Sequence, residues 1–176
     1  MASGDQYDGA GNVTNDGANA YLYDGEGRVC ATQRTFVPGD VVMTGYLYDA
    51  EGNRVAKGTI QSFSCDLTQN GFATTTQYIV GQSGEQITAV DGQGNWKRSN
   101  VYAAGAPLAT YDANGLHFNL ADALGTKRVQ VNATGTVDET CQSLPIGDAL
   151  SCTGPGAIFR VAQRGQILDA PIMRQI

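Results

Sequence analysis

Polar and apolar residues alternate along much of the chain, in short runs separated by glycine-rich turns. In the segment AYLYD, Tyr21 and Tyr23 fall on one face of an extended strand and Leu22 on the other, and GYLYD repeats the arrangement from Gly45. The run from Ala73 to Val80 is rich in strand-forming Thr, Tyr, Ile and Val. No segment shows a convincing helical period; ALGTKRVQ is long enough for one turn only. The pattern predicts an all-β fold.

One short unit recurs along the chain: an apolar residue or Tyr, then Asp or Asn, two further residues, and Gly. Self-similarity of this kind is typical of proteins built from one repeated structural unit. The interval of 42 residues between the third and fourth copies, at positions 48 and 90, is about twice the others, and VGQSGEQ at 80–86 is a candidate degraded copy. The six copies contain Tyr7, Asp8 and Gly11; Tyr23, Asp24 and Gly27; Tyr48, Asp49 and Gly52; Val90, Asp91 and Gly94; Tyr111, Asp112 and Gly115; and Val131, Asn132 and Gly135.

The chemistry of this unit is that of a β-hairpin turn. An Asp or Asn before a type I turn can bond the backbone two residues on, and the later Gly can adopt the left-handed conformation that keeps the strand twist. Each copy therefore predicts a three-residue loop that ends in a glycine bulge. A further hairpin is predicted around Pro38-Gly39-Asp40.

Counting outward from the turns predicts which residues face each other across the strands. For Tyr48 we expect a four-residue loop at 50–53, because one residue more separates Tyr48 from the next valine. Aromatic and β-branched pairs of this kind stabilise a sheet by roughly 0.2–1 kcal/mol each. The predicted pairs are Tyr7 with Val13, Tyr23 with Val29, Tyr48 with Val55, Val90 with Trp96, Tyr111 with His117, and Val131 with Val137.

The repeated Tyr-Asp-x-x-Gly unit resembles the YD repeat of RHS proteins. The segment from Gly105 to Val137 is similar to the start of the RHS-repeat-associated core, in which an aromatic stretch and an Asp-x-Leu-Gly-Ser element follow the repeat. Here Leu116-His117-Phe118 and then Asp122, Leu124 and Gly125 match in order, and LPIGD at 144–148 resembles the Pro-Phe-Gly element. The likeness covers roughly residues 7–154.

The resemblance implies antiparallel β-hairpin repeats that form a twisted sheet or partial β-spiral shell. In polymorphic toxin systems and insecticidal complexes such a shell encloses a toxic C-terminal segment, and in animal teneurins a related shell serves adhesion. It implies one domain over 1–154 and an atypical, unassigned segment over 155–176, in which the family's Asp-rich self-cleavage motif is not found. We expect a fragment of a shell from a bacterial parent, with no signal peptide in this chain.

Charge and hydrophobicity argue against some classes of binding partner and favour others. A net charge of -6 argues against a nucleic-acid partner, which needs a basic face. No apolar run approaches the roughly 20 residues that span a membrane. An open sheet with apolar side chains on both faces and two unpaired edges favours a homo-oligomer or β-sheet assembly. The alternative is that the segment from Pro155 to Ile176 covers the apolar face.

Four cysteines, an even number, suit two disulfides in a secreted or cell-surface protein. Three pairings are open, and Cys141 with Cys152 is placed first because both are close in sequence and flank a turn. The alternative is four buried free thiols. No Cys-x-x-Cys pair is present, so no metal site is expected.

No catalytic arrangement emerges, and we expect no enzyme activity, cofactor or catalytic residue. His117 is the only histidine, and no Gly-x-Ser-x-Gly nucleophile elbow accompanies it. The leading hypothesis is a non-enzymatic structural repeat module that encloses or presents cargo and self-assembles. The alternatives are an extracellular carbohydrate-binding or adhesion module, with exposed Tyr or Trp96 stacking on glycans, and a remnant of a polymorphic toxin.

Overall fold

The computed structural model describes residues 4–37, 39–123, 125–142 and 151–154. Every regular element in this part of the chain is a β-strand, which confirms the predicted all-β class. The fourteen strands are β1 (Gln6–Tyr7), β2 (Val13–Asn15), β3 (Asn19–Tyr23), β4 (Val29–Val37), β5 (Asp40–Tyr48), β6 (Arg54–Thr59), β7 (Ala73–Val80), β8 (Gln86–Asp91), β9 (Trp96–Ala103), β10 (Ala106–Asp112), β11 (Gly115–Ala121), β12 (Lys127–Asn132), β13 (Val137–Gln142) and β14 (Ser151–Thr153).

The chain divides into two compact units, residues 1–96 and 97–176. In the first unit β1 to β8 lie side by side in chain order, and in the second β9 to β14 do the same. All the pairs are antiparallel, as expected when short turns join consecutive strands. Each unit is thus a meander of hairpins. No helix in the described ranges is long and apolar enough to cross a membrane.

Three of the predicted cross-strand pairs are confirmed by the strand registers. Tyr7 lies opposite Val13, Tyr23 opposite Val29, and Val131 opposite Val137. The predicted hairpin before Asp40 is also present, with Val37 paired to that residue. The degraded copy at 80–86 forms a hairpin as well, with Val80 opposite Gln86.

The predicted pairing of Tyr48 with Val55 is wrong. Tyr48 lies opposite Arg54, because the amide of Asp49 donates to the carbonyl of Asn53 and closes the same three-residue loop as the other copies. No residue has been inserted. Val55, which the sequence pattern aligned with Val29, stands one place later in the strand.

The predicted pairing of Tyr111 with His117 is also wrong. Tyr111 lies opposite Leu116, and Asp112 pairs directly with Gly115, so only Ala113 and Asn114 form the loop. His117 therefore faces Thr110. In this copy an apolar Leu follows the glycine, where most other copies have a polar side chain that bonds back to the turn.

A second irregularity accompanies the turns and was not predicted. One residue before the turn, the register shifts by one position, so the outgoing strand carries an extra residue. Bulges of this kind increase the right-handed twist and bend the strand. The shift occurs in six hairpins, β1–β2, β3–β4, β5–β6, β7–β8, β11–β12 and β12–β13.

Candidate functional site

The repeated turn is held by one aspartate that accepts several hydrogen bonds. In the second copy, Oδ1 of Asp24 accepts the amides of Glu26 and Arg28, both at 2.9 Å, and Oδ2 accepts Nε of Arg28 at 2.8 Å. The amide of Gly27, at φ 78°, returns to the Asp24 carbonyl. Burial works to raise the pKa of Asp24, but the bonds from Arg28 and Glu26 outweigh it and lower that pKa.

The residue after the glycine completes the motif, and sequence reasoning missed it. Asn12, Asn53 and Asn95 donate their side-chain amides to the aspartate of their own turn at 2.9, 3.0 and 2.9 Å, as Arg28 does with its guanidinium. The sequence contains a signal for this residue, because Asn directly follows the turn glycine in three of the six copies. The working unit is therefore Asp-x-x-Gly followed by Asn or Arg.

The degraded copy at 80–86 shows how the turn survives without its aspartate. Gly81 stands in the aspartate position, and the Glu85 carboxylate reaches across to accept the amide of Ser83 at 3.1 Å. A Cβ on Gly81 would lie 2.6 Å from that carboxylate, so the missing side chain makes room for the substitute. Gly84 keeps the left-handed conformation at φ 85°.

The predicted core motif at Asp122 and Gly125 forms one more copy of the same turn. The amide of Asp122 donates to the Thr126 carbonyl at 3.0 Å, and Gly125 donates back at 2.9 Å. Nε of Arg128 binds the Asp122 carboxylate at 2.7 Å. Leu124, the third residue of that motif, lies outside the described residues, as does LPIGD at 144–148. Including this copy, seven loops in the described ranges close with the same pair of backbone bonds.

The tyrosines of the repeat join one hairpin to the previous one. The hydroxyl of Tyr23 donates to the Val13 carbonyl at 2.8 Å, and that of Tyr48 donates to the Val29 carbonyl at 2.9 Å. Both acceptors occupy the same place, opposite the tyrosine of the earlier copy. Burial raises the pKa of both tyrosines, so each hydroxyl keeps its proton and remains a donor. We call this contact the tyrosine bridge.

The degraded copy replaces the tyrosine bridge with a different side chain. Nε2 of Gln86 donates to the carbonyl of Arg54 at 3.4 Å. Arg54 is opposite Tyr48, so this carbonyl again occupies the acceptor place of the previous hairpin. The acceptor therefore has the same position as in the tyrosine bridges, although the donor, Gln86, lies on the strand opposite the tyrosine position.

One face of the first unit buries aromatic and basic side chains together. The guanidinium carbon of Arg54 lies 5.4 Å from the ring centres of both Tyr46 and Tyr78, and each of these three residues is less than a tenth exposed. Lys57 and Thr76, which pair across β6 and β7, are buried beside them. Stacking on two rings compensates the partial desolvation of the guanidinium.

A loop over residues 60–72 covers part of the other face of this unit. Cys30, Ala31 and Ile60 form its buried core, with Phe63, Cys65 and Phe72 packed against them. A Cβ on Gly45 would lie 2.8 Å from Ile60 and 2.9 Å from Phe72, so this glycine permits the close approach. Asn70, 1% exposed, fixes the loop by donating to the Ser64 carbonyl and accepting the Phe72 amide.

Two disulfides fasten the strands. Cys141 is joined to Cys152, the pairing placed first from the sequence, and these residues lie directly opposite each other in β13 and β14. Cys30 is joined to Cys65 and ties the covering loop to β4. None of the four cysteines is free.

His117 lies between two carboxylates of the second unit rather than beside Tyr111. Its Nδ1 is 2.6 Å from Oδ2 of Asp138, and its Nε2 is 3.4 Å from Oδ1 of Asp112. The side chain is 14% exposed. Neither ring nitrogen contacts a serine hydroxyl in the part of the chain that the structure describes, so the geometry there is that of a polar contact between strands.

Known proteins resemble the chain in structure only. No protein-family model and no curated protein matches it. Among solved structures, similar chains occur in a crystal structure of TcdB2-TccC3-TEV, in the Photorhabdus luminescens Tc holotoxin pore, and in a crystal structure of TcdB2-TccC3-Cdc42, with sequence identities of 17, 20 and 19% and TM-scores of 0.38, 0.37 and 0.38. Each match covers 78% of this chain and 8% of the other.

Proposed function

We propose that this chain is a non-enzymatic structural module of the RHS/YD-repeat type, a piece of a shell wall that encloses or presents cargo. The observation that carries the proposal is the tyrosine bridge. In two copies the tyrosine donates to the same backbone position of the copy before it, so these repeats specify how their neighbour is attached. Such nearest-neighbour contacts are how repeat proteins gain stability. Residues used in this way build a wall and have no need to contact a substrate.

The non-enzymatic part of the proposal is tested at His117, the one histidine. We expect the full chain to hydrolyse no ester, peptide or glycoside substrate. The matched variant is His117→Ala, with His117→Asn as a second variant that keeps a polar side chain between Asp112 and Asp138. A robust hydrolase activity that both substitutions abolish would overturn the proposal.

Self-assembly is the second part of the proposal. Large apolar side chains of the second unit, among them Val101, Leu120 and Val137, are 45, 52 and 49% exposed. Exposed apolar patches of this kind are uncommon on monomers. We expect light scattering in dilute, low-salt buffer to give a mass above that of one chain. A clean monomer would overturn the assembly, and association after deletion of Pro155 to Ile176 would then favour that segment as the cover.

Secretion or display at the cell surface is proposed from the two disulfides, because such bonds persist in oxidising compartments. The test is the intact mass of the alkylated protein, prepared from its native source with and without reductant. Four alkylated cysteines in the unreduced sample would contradict this localisation.

Glycan binding is a second candidate function, favoured by exposed aromatic rings. Trp96 is 45% exposed, and Tyr111, in the second unit, is 51% exposed. Aromatic faces of this kind can stack on sugars, although most tyrosines here pack or donate hydrogen bonds within the sheet. A glycan array with no hits, together with Trp96 fluorescence that no sugar changes, would eliminate this candidate.

A further inference from the structure

Three side chains with metal-binding atoms converge where β13 meets β14. The carboxylate of Glu139 and the sulfurs of Cys141 and Cys152 all lie within 4.8 Å of one another. Glu139 and Cys141 are two residues apart in one strand and therefore project from the same face, while Cys152 is opposite Cys141. Glu139 is 1% exposed and Cys141 is 4% exposed. We call these three residues the Glu-Cys-Cys cluster.

A buried carboxylate beside two sulfurs is costly to maintain for stability alone. Moving a charged group out of water is expensive, and even a paired buried charge is often replaced by apolar residues without loss. Here Nζ of Lys127 lies 2.7 Å from Oε2 of Glu139 and pairs with that oxygen. The arrangement places an oxygen ligand next to two potential sulfur ligands.

The sulfurs become ligands only when the disulfide is reduced, because thiolates and not disulfide sulfurs bind metals strongly. A dithiol reductant supplies two electrons and two protons to the Cys141–Cys152 bond. It leaves as its own cyclic disulfide, and two thiols remain on the protein. Each thiol releases its proton when its sulfur binds a metal ion.

We propose that the reduced Glu-Cys-Cys cluster binds one zinc ion through both sulfurs and a Glu139 carboxylate oxygen, so that the disulfide and the metal are alternative occupants. Zinc bonds of about 2.3 Å to sulfur and 2.0–2.2 Å to oxygen place tetrahedral ligand atoms about 3.5–3.8 Å apart. The three ligand atoms already lie within 4.8 Å of one another. Reduction lets the two sulfurs separate from bonding distance to this range, and the carboxylate oxygen needs only a short approach. A water molecule fills the fourth position, as in other zinc sites with three protein ligands.

The spacing explains why the sequence did not indicate this site. Structural zinc sites are recognised by pairs of cysteines two to four residues apart, whereas Cys141 and Cys152 are separated by 11 positions. Only the antiparallel pairing of β13 with β14 brings the two sulfurs and the carboxylate together. This proposal does not depend on the proposed function of the chain.

The experiment uses the full chain, reduced with a dithiol and freed of reductant without oxygen, then titrated with Co²⁺ alone and afterwards with Zn²⁺. We expect one Co²⁺ per chain with a thiolate-to-cobalt charge-transfer band, which Zn²⁺ removes by displacement. The disulfide-bonded chain should show no such band. Mapping of alkylated cysteines should show that Zn²⁺ protects Cys141 and Cys152 and leaves Cys30 and Cys65 reactive. This mapping needs no substitution, so it holds even if a variant fails to fold.

Variants separate the ligands. The double variant Cys30→Ser/Cys65→Ser is the matched control and should retain the band, whereas Cys141→Ser should lose it. Glu139→Gln should weaken Zn²⁺ binding by at least the roughly tenfold that even outer-shell partners contribute. Equal protection of all four cysteines, or of none, would overturn the site. Unchanged affinity in Glu139→Gln would overturn the carboxylate as a ligand.

Discussion

The two units use the same turn but fasten their hairpins differently. In residues 1–96, the tyrosine bridges and the loop at 60–72 hold neighbouring hairpins, and the buried core contains Ala31 and Ile60. In the second unit, a contact between His117 and Asp138 links β11 to β13, and a salt bridge between Lys127 and Glu139 lies across β12 and β13. The repeated turn therefore fixes the hairpin alone. What joins one hairpin to the next depends on the residues around it.

The covering loop is the clearest difference between the units. The first unit interrupts its series of short turns between β6 and β7, and the inserted loop supplies Phe63, Cys65 and Phe72 to one face of the sheet. In the described part of the second unit, from β9 to β13, only loops of two or three residues join the strands. The connection between β13 and β14 lies outside the described residues.

Removing each disulfide gives the largest expected difference between the units. The Cys30–Cys65 bond spans 35 positions and the Cys141–Cys152 bond spans 11. The chain-entropy relation gives losses of about 4 and about 3 kcal/mol for the two double Cys→Ser variants. The measurement is the free energy of unfolding of each variant, obtained by guanidinium chloride denaturation without reductant. An equal or larger loss for the Cys141→Ser/Cys152→Ser variant would contradict this order.

Substituting the turn glycine should have the next largest effect. Gly27 has φ 78°, where a β-branched residue is strongly disfavoured, so Gly27→Val is expected to destabilise by about 1–3 kcal/mol. Glu26→Val is the control, because Glu26 does not have a positive φ and its side chain is exposed. Equal melting temperatures for the two variants would contradict the assigned turn. Gly135→Val in the second unit, at φ 85°, should cost a similar amount, since the turn is common to both units.

Removing one tyrosine bridge should have a smaller effect that is confined to the first unit. Tyr48→Phe deletes only the hydroxyl that donates to the Val29 carbonyl and should cost about 1 kcal/mol, the net value of one hydrogen bond. Tyr7→Phe is the matched control, since Tyr7 begins the first copy and is 49% exposed. Hydrogen exchange should show faster opening in β3 to β6 for Tyr48→Phe. Identical exchange in both variants would contradict the bridge.

Acid should have the smallest of these effects and should act through the first unit. Burial works to raise the pKa of Asp16, but hydrogen bonds from Tyr21 and Asn19 hold it at about 2. The unfolded value is near 3.9, so this stabilisation is fully present above about pH 4 and is lost as the pH falls through about 2. Because the site is largely exposed, we expect less than about 1 kcal/mol.

The matched variant for the acid effect is Asp16→Asn, and the measurement is the unfolding free energy at pH 5 and at pH 2. The wild-type protein should lose more stability over this range than the variant does. The pKa values of Asp8 and Asp49 are also lowered, chiefly by bonds from Asn12 and Asn53, so the variant should retain part of the pH dependence. The same loss in both proteins would exclude Asp16 as a source of the effect.

The sequence by itself determined the local structure, because an Asp-x-x-Gly turn depends on contacts within five residues. The all-β class, the closing bonds of the turns and pairs such as Tyr23 with Val29 all follow from that short range. The two register errors, at Tyr48 and Tyr111, have different causes. Asn53 bonds back to Asp49, so the turn after Tyr48 keeps a three-residue loop where a four-residue loop was predicted. The turn after Tyr111 has a two-residue loop where a three-residue loop was predicted.

Only the tertiary structure decided what lies between the hairpins. The acceptor of a tyrosine bridge is a backbone carbonyl, which carries no sequence signal, and it lies ten positions from Tyr23 and 19 from Tyr48. The covering loop, the position of His117 between two carboxylates, and the Glu-Cys-Cys cluster likewise join residues that are distant in the chain. Such contacts depend on how consecutive hairpins align across the sheet. That alignment is the sum of small twists and one-residue bulges, and no short segment specifies it alone.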